Sequence, residues 1–281
     1  MCYSSGVNGT FHNDETRDGP LRPLPGLRTQ PPVRPSVDAD IARFAIVQLG
    51  LAPDKKQLQI LRSTAKRGIL NCSRQWGKST VAAVKALHRA STRAGSLVLV
   101  ASPSERQSAE FLRKVAPMVR KLGIRVRGDG DNPISILLPN QSRIVGLPGV
   151  EATARGFSAV SLMLIDEAAR VPDDVYQGLR PMLGVGDGDL WMMSTPWGQR
   201  GFFYETWTNA GPEWCRVSVK ATECPRISKT FLEEERKEKT SDWFAQEYLC
   251  EFTTNEEMLF EREMVEAAFD DTLGELDFGR R

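Results

Sequence analysis

Ile69-Leu70-Asn71-Cys72-Ser73-Arg74-Gln75-Trp76-Gly77-Lys78-Ser79-Thr80-Val81-Ala82-Ala83-Val84 passes from a short apolar run, through a polar loop, into apolar residues at helical spacing. Strand, loop, Gly-Lys-Ser and helix in that order form the setting of a phosphate-binding loop. There the backbone N–H groups of the loop and of the first helical turn surround the β- and γ-phosphates. Lys78 neutralises them and the Ser79 hydroxyl ligates Mg2+. Gly77 lets the backbone approach a phosphate with no Cβ in the way. The usual pattern has a glycine five residues before Gly77; this chain has Cys72 there, with Arg74 and Gln75 inside the loop. Gly-Lys-Ser-Thr also opens ordinary helices, so residues elsewhere must decide between the two readings.

Outward from the loop, β-like and helical runs alternate. A helix is expected from Lys78 to about Arg93, a strand over Leu97 to Ala101 and a helix from Ser104 to Lys121. Ile134 to Leu138 and Arg143 to Gly146 straddle Pro139-Asn140 as a hairpin, and strands follow at Val160 to Ile165, Leu190 to Met193 and Trp214 to Val219. Helices are expected near Val175 to Leu183 and over Ser228 to Leu249. This is βαβ grammar. Strands apolar at consecutive positions belong to the middle of a parallel sheet covered on both faces, so an α/β fold is expected.

The run Val160 to Ile165 ends in Asp166-Glu167. Carboxylates just beyond an apolar strand lie at the carboxyl edge of a parallel sheet, where the phosphate loop also lies. Asp166 is expected to hold Mg2+ through water, and Glu167 to orient and deprotonate the water that attacks the γ-phosphate. The strand Leu190 to Met193 ends in Ser194-Thr195-Pro196, where a hydroxyl can sense that phosphate; a plain turn reads the same way. Gln57, after Pro53-Asp54-Lys55-Lys56, opens a helix with an amide suited to paired hydrogen bonds with adenine.

Gln57 after a proline, Cys72 to Thr80, Ala154-Arg155-Gly156-Phe157-Ser158, Leu164-Ile165-Asp166-Glu167-Ala168 and Met193-Ser194-Thr195-Pro196-Trp197-Gly198 together resemble the large terminase subunit of tailed double-stranded DNA bacteriophages. The likeness in order and spacing extends from about Gln57 to Phe260. It implies a RecA-like P-loop ATPase domain that powers packaging of double-stranded DNA into a procapsid, with Mg2+ as cofactor and ATP as substrate. The ATP-binding set is then Gln57, Ser73, Arg74, Gln75, Trp76, Gly77, Lys78, Ser79 and Thr80, with Ser79 and Asp166 at the metal. By the same resemblance Arg74 contacts the γ-phosphate, Glu167 is the base and Thr195 couples hydrolysis to movement. Arg155 stands where some members offer an arginine to the neighbouring subunit, although an ordinary loop arginine fits that place too. The implied partners are duplex DNA, a portal protein, a small terminase subunit and further copies of the chain in a ring.

Residues 1 to 38, with six prolines between Pro20 and Pro35, read as a disordered leader; 39 to 255 as the ATPase domain; and 256 to 281 as a C-terminal linker or the start of a nuclease domain. Nuclease activity is not expected, since little chain follows Phe260. The net charge of +1 divides into +13 for residues 1 to 150 and −12 for the rest. A phosphate-holding front half gives that division, and so does one domain with two oppositely charged parts. Five scattered cysteines without a CxxC pair and two histidines suggest neither a zinc site nor a disulfide framework. No apolar run is long enough to span a bilayer, so the host cytoplasm is the expected compartment. Two other readings stay open: a helicase-like DNA-dependent ATPase, for which the length leaves no room for a second RecA-like domain, and a nucleotide-binding or assembly module without turnover.

Overall fold

Leu97-Val98-Leu99-Val100-Ala101 is apolar at every position, and each of these residues is buried. In the computed structural model of the chain, which describes residues 37–147 and 156–254, the run is a strand inside a seven-stranded sheet. The strands are β1 (Arg67–Cys72), β2 (Leu97–Ala101), β3 (Ser135–Leu137), β4 (Arg143–Leu147), β5 (Val160–Asp166), β6 (Asp189–Ser194) and β7 (Trp214–Val219). Their order is β3-β4-β2-β5-β6-β1-β7, and every pairing is parallel except the β3–β4 hairpin.

Alternation along the strands builds two cores. Leu70, Val98, Val100, Leu162, Leu164, Trp191 and Met193 face one side. That side is covered by α1 (Ile41–Arg43, continuing as a wider π turn to Gln48), α2 (Lys55–Arg62), α3 (Lys78–Thr92) and α4 (Glu105–Lys121). Ile69, Leu97, Leu99, Met163, Ile165 and Met192 face the other, under α5 (Asp173–Leu179) and α6 (Gly201–Asn209). The inner strands thus bury both faces, which is why their apolar positions are consecutive, whereas the edge strands β3 and β7 keep half-buried positions. This is the RecA-like, mostly parallel architecture expected for the sequence.

Two expected boundaries change. The helix expected over Ser228 to Leu249 is two: α7 (Lys229–Glu238) and α8 (Ser241–Leu249). Lys239 is extended and Thr240 caps α8, its hydroxyl accepting from Trp243 N at 3.3 Å; a capping threonine starts a new helix instead of continuing the old one. Val37 and Asp38, read as the end of the leader, pack on the domain: Val37 against the first core, and the Asp38 carbonyl 3.0 Å from His88 Nε2. The remaining leader positions, and residues 255–281, lie outside the described residues.

The strand order sets the site. β6 lies between β1 and β5, with Asn71 opposite Ser194 and Met193 opposite Asp166. The phosphate loop leaving β1, the Thr195 turn leaving β6 and the acidic pair leaving β5 therefore emerge side by side at one edge, as the open parallel sheet requires.

Candidate active site

After Cys72 the chain is tied down at once: Ser73 N donates to the Val219 carbonyl at 2.9 Å and Arg74 N to the Glu247 carbonyl at 3.2 Å. Gln75 then takes φ +59° and Gly77 φ +99°, the left-handed region in which the loop doubles back onto α3. A Cβ at Gly77 would stand 2.9 Å from Gln57 Nε2 and displace that amide, and the positive φ itself favours glycine there. Lys78 opens α3 with its side chain only 9% exposed, and its ammonium lies 3.1 Å from Glu167 Oε1. Ser79 Oγ donates to Asp166 Oδ2 at 2.9 Å.

These groups surround a cavity of about 490 Å3. Arg74, Gln75, Gly77, Lys78, Ser79 and Thr80 form its loop side; Glu167, Arg170 and Thr195 form the opposite wall, and Gln107 and Lys114 of α4 its outer rim. Burial pushes the Asp166 carboxyl above its ordinary pKa, Glu167 adds to the effect, and Lys78 and the Ser79 hydroxyl oppose it. The Ser79 hydroxyl at the cavity and the buried Asp166 carboxylate bonded to it form an oxygen pair that suits Mg2+, whose charge would offset this desolvation. Glu167 has φ +53°, so the base expected from the sequence projects from a strained turn.

The expected ATP-binding residues divide. Ser73 is fully buried, and its hydroxyl has no protein partner. Trp76 is also fully buried, its ring part of the core beneath the loop, so neither side chain lines the cavity. Gln57 uses both ends of its amide within the protein: Oε1 accepts from Asp54 N at 3.1 Å, completing a capping box, and Nε2 donates to the Trp76 carbonyl at 3.1 Å. It borders a second cavity of about 210 Å3, walled by Leu51, Pro53, Leu61, Val81 and Val84, with Arg226 at the rim. The two cavities share Gly77 and Thr80, so an apolar slot adjoins the phosphate cavity. Arg155 lies outside the described residues.

The sequence reading missed Arg170 and Glu247. Glu247, on α8, is 1% exposed, accepts from Arg74 Nε at 2.5 Å and lies 3.1 Å from Arg170 Nη2. Arg170 also donates to Thr195 Oγ1 at 3.1 Å and stands 3.4 Å from Glu167 Oε2. Glu247 does leave a trace: it falls between Phe244 and Tyr248 on the buried face of α8, a carboxylate where an apolar residue belongs. Arg170 leaves none, being a single arginine in a short turn.

The profile of "Terminase large subunit, T4likevirus-type, N-terminal" matches residues 69–267. The chain belongs to this family. Among its terminase relatives, the large subunit of Thermus phage G20c is 30% identical over 177 residues, covering 55% of this chain and 36% of that protein. The chain thus spans little more than a third of that relative's length. The large terminase ATPase domain of Thermus phage P74-26 superposes with a TM-score of 0.66 at 26% identity, over 75% of this chain and 98% of that domain. The large terminase of another thermophilic bacteriophage, solved in complex with ATP-gamma-S, shares the fold at 16% identity, with a TM-score of 0.59 over 71% of this chain and 52% of that one. This terminase chain therefore carries the ATPase-domain fold of its family, and the cavity at the sheet edge lies where such a fold binds its ligand.

Proposed function

We propose that this terminase domain binds Mg-ATP and hydrolyses it, and that in the whole large subunit the hydrolysis drives double-stranded DNA into a procapsid. The convergence of Lys78, Ser79 and Glu167 on one cavity, with Asp166 bonded to Ser79 behind it, carries this reading. Mg2+ held by Ser79 and Asp166 supplies charge neutralisation at the phosphates. Loop amides and Lys78 bind the β- and γ-phosphates, and Arg74, on the same side of the cavity, adds a second cation. With Lys78 drawn to phosphate, Glu167 is free to take a proton from water. The water oxygen bonds to the γ-phosphorus as the bond from that phosphorus to the bridging oxygen breaks, releasing ADP and phosphate.

The adenine of ATP is assigned to the slot beside Gly77. Gln57 then acts by holding the Trp76 carbonyl and α2 in place as well as by any contact with adenine. Thr195 reports the γ-phosphate to the segment beyond it, and Arg155 reaches a neighbouring copy's ATP. The ATPase domain, expected over residues 39–255, is assigned Val37 and Asp38 as well. The assigned partners are duplex DNA, a portal protein, a small terminase subunit and a homo-oligomeric ring. The assigned compartment is the host cytoplasm; among the described residues no helix is long and apolar enough to cross a membrane. We assign no DNA cleavage to the described residues.

Phosphate release from ATP, measured with and without duplex DNA, tests the reading. Lys78→Ala is expected to abolish Mg-ATP binding, because it removes the counter-charge to the phosphates. Retention of full affinity in that variant would place the nucleotide elsewhere.

A further inference from the structure

Four side chains form a continuous chain of charge across the site, and only its two ends have been given work. Arg74 of the phosphate loop contacts Glu247 through Nε at 2.5 Å and Nη2 at 3.3 Å. Glu247 Oε1 accepts from Arg170 Nη2 at 3.1 Å. Arg170 Nη1 then lies 3.4 Å from Glu167 Oε2 and donates to Thr195 Oγ1 at 3.1 Å. Its guanidinium also lies over the Trp197 ring, 4.5 Å from the centroid. A carboxylate as buried as Glu247 is tolerated only when cations and hydrogen bonds replace its water, and here two guanidinium groups do so.

We propose that Arg170 is a positioning residue for hydrolysis, held in place by Glu247. It fixes the direction of the Glu167 carboxylate and the Thr195 hydroxyl, and it joins both, through Glu247, to the phosphate loop and α8. This rests on the reading of Glu167 as the base. Glu167 projects from a left-handed residue ahead of a three-residue 3-10 turn, Ala168–Arg170, so its backbone gives its side chain little support. Its two oxygens are held by Lys78 on one side and Arg170 on the other. When phosphate competes for Lys78, Arg170 is the cation that remains on the base. A guanidinium can do this because its rigid fork reaches Glu167, Thr195 and Glu247 together, and its flat face rests on Trp197; a lysine offers one point of charge.

The test measures kcat and KM for ATP in the presence of duplex DNA, together with Mg-ATP-gamma-S affinity and thermal midpoint. The variants are Arg170→Gln, Arg170→Lys, Glu247→Gln and the double variant Arg170→Gln/Glu247→Gln. Misplacing a catalytic group by about 1 Å costs ~10²-fold, so Arg170→Gln is expected to lower kcat by about that factor while affinity stays within about threefold. Arg170→Lys should recover only part of the loss. Glu247→Gln should lower kcat less than Arg170→Gln does, and should add almost nothing in the double variant because both act on one network. A parallel loss of affinity would make Arg170 a phosphate ligand, and unchanged kcat with a lower thermal midpoint would make it structural; either outcome overturns the proposal. If Arg170→Gln does not fold, Arg170→Lys and Glu247→Gln decide on the same split between kcat and affinity. Glu167→Gln serves as the control. If it is inactive while Arg170→Gln is fully active, only the positioning role fails; if Glu167→Gln is active, the reading of the base fails first.

Discussion

Thr195 is 1% exposed, lines the cavity and accepts a hydrogen bond from Arg170 through its hydroxyl oxygen. Under the proposed coupling role, the hydroxyl would exchange its guanidinium partner for a γ-phosphate oxygen, and the turn before Pro196 would then have different contacts in the ATP and product states. Thr195→Ala is expected to bind ATP nearly normally, losing at most ~0.5–1.5 kcal/mol for one neutral hydrogen bond. It should lose the difference in DNA affinity between ATP analogue and ADP, and an unchanged difference would show a turn that merely ends β6. At this scale the sequence was legible where a residue type has one use. Gly77, Lys78, Ser79 and Glu167 line one cavity, and Asp166 is bonded to Ser79 beside it. It was illegible where the use depends on contacts distant in sequence. Arg170 and Glu247 are 77 residues apart, and Gln57 turns its amide to Asp54 and Trp76.

The β-strands show why the architecture could be read in advance and some helix ends could not. Apolar residues at consecutive positions arise only where both faces are covered, and β2, β5 and β6 are buried nearly throughout. The break between α7 and α8 depends on two extended residues, Lys239 and Thr240, and the capping hydroxyl of the second, too small a signal against continuous helical periodicity. Strand packing carries a close requirement of its own at Gly68, where a Cβ would lie 2.2 Å from the Trp191 ring. Trp191 is 1% exposed and Lys85 Nζ stands 4.1 Å above its ring centroid, so the indole is fixed from both sides. Gly68→Ala is expected to destabilise the domain by ~1–3 kcal/mol, the usual cost of overpacking a filled core. Urea unfolding would reveal it as a lower midpoint with an unchanged slope, and a wild-type midpoint would mean that the ring can move aside.

Across the whole molecule, the last described helix is fastened to the phosphate loop. Asn71 Nδ2 donates to the Cys250 carbonyl at 2.8 Å, Arg74 N donates to the Glu247 carbonyl, and the Arg74 side chain holds the Glu247 carboxylate. Four hydrogen bonds thus join the end of β1 and the loop to α8 and its cap in one place. Communication between copies is assigned to Arg155. If it completes a neighbour's site, Arg155→Ala mixed with Lys78→Ala should regain activity that neither has alone, since the first supplies an intact loop and the second the arginine. Loss of such an arginine costs ~10³-fold or more, so recovery would stand far above background; its absence in mixed assemblies would place Arg155 outside the reaction. The claim on which all of this depends is that the cavity between β1 and β5 hydrolyses ATP with Glu167 as its base. ATP turnover and Mg-ATP binding measured together on Glu167→Gln test it most directly. The account predicts wild-type binding with turnover reduced by ~10²–10⁴-fold, the range for loss of a general base. Turnover at the wild-type rate with binding intact would contradict it.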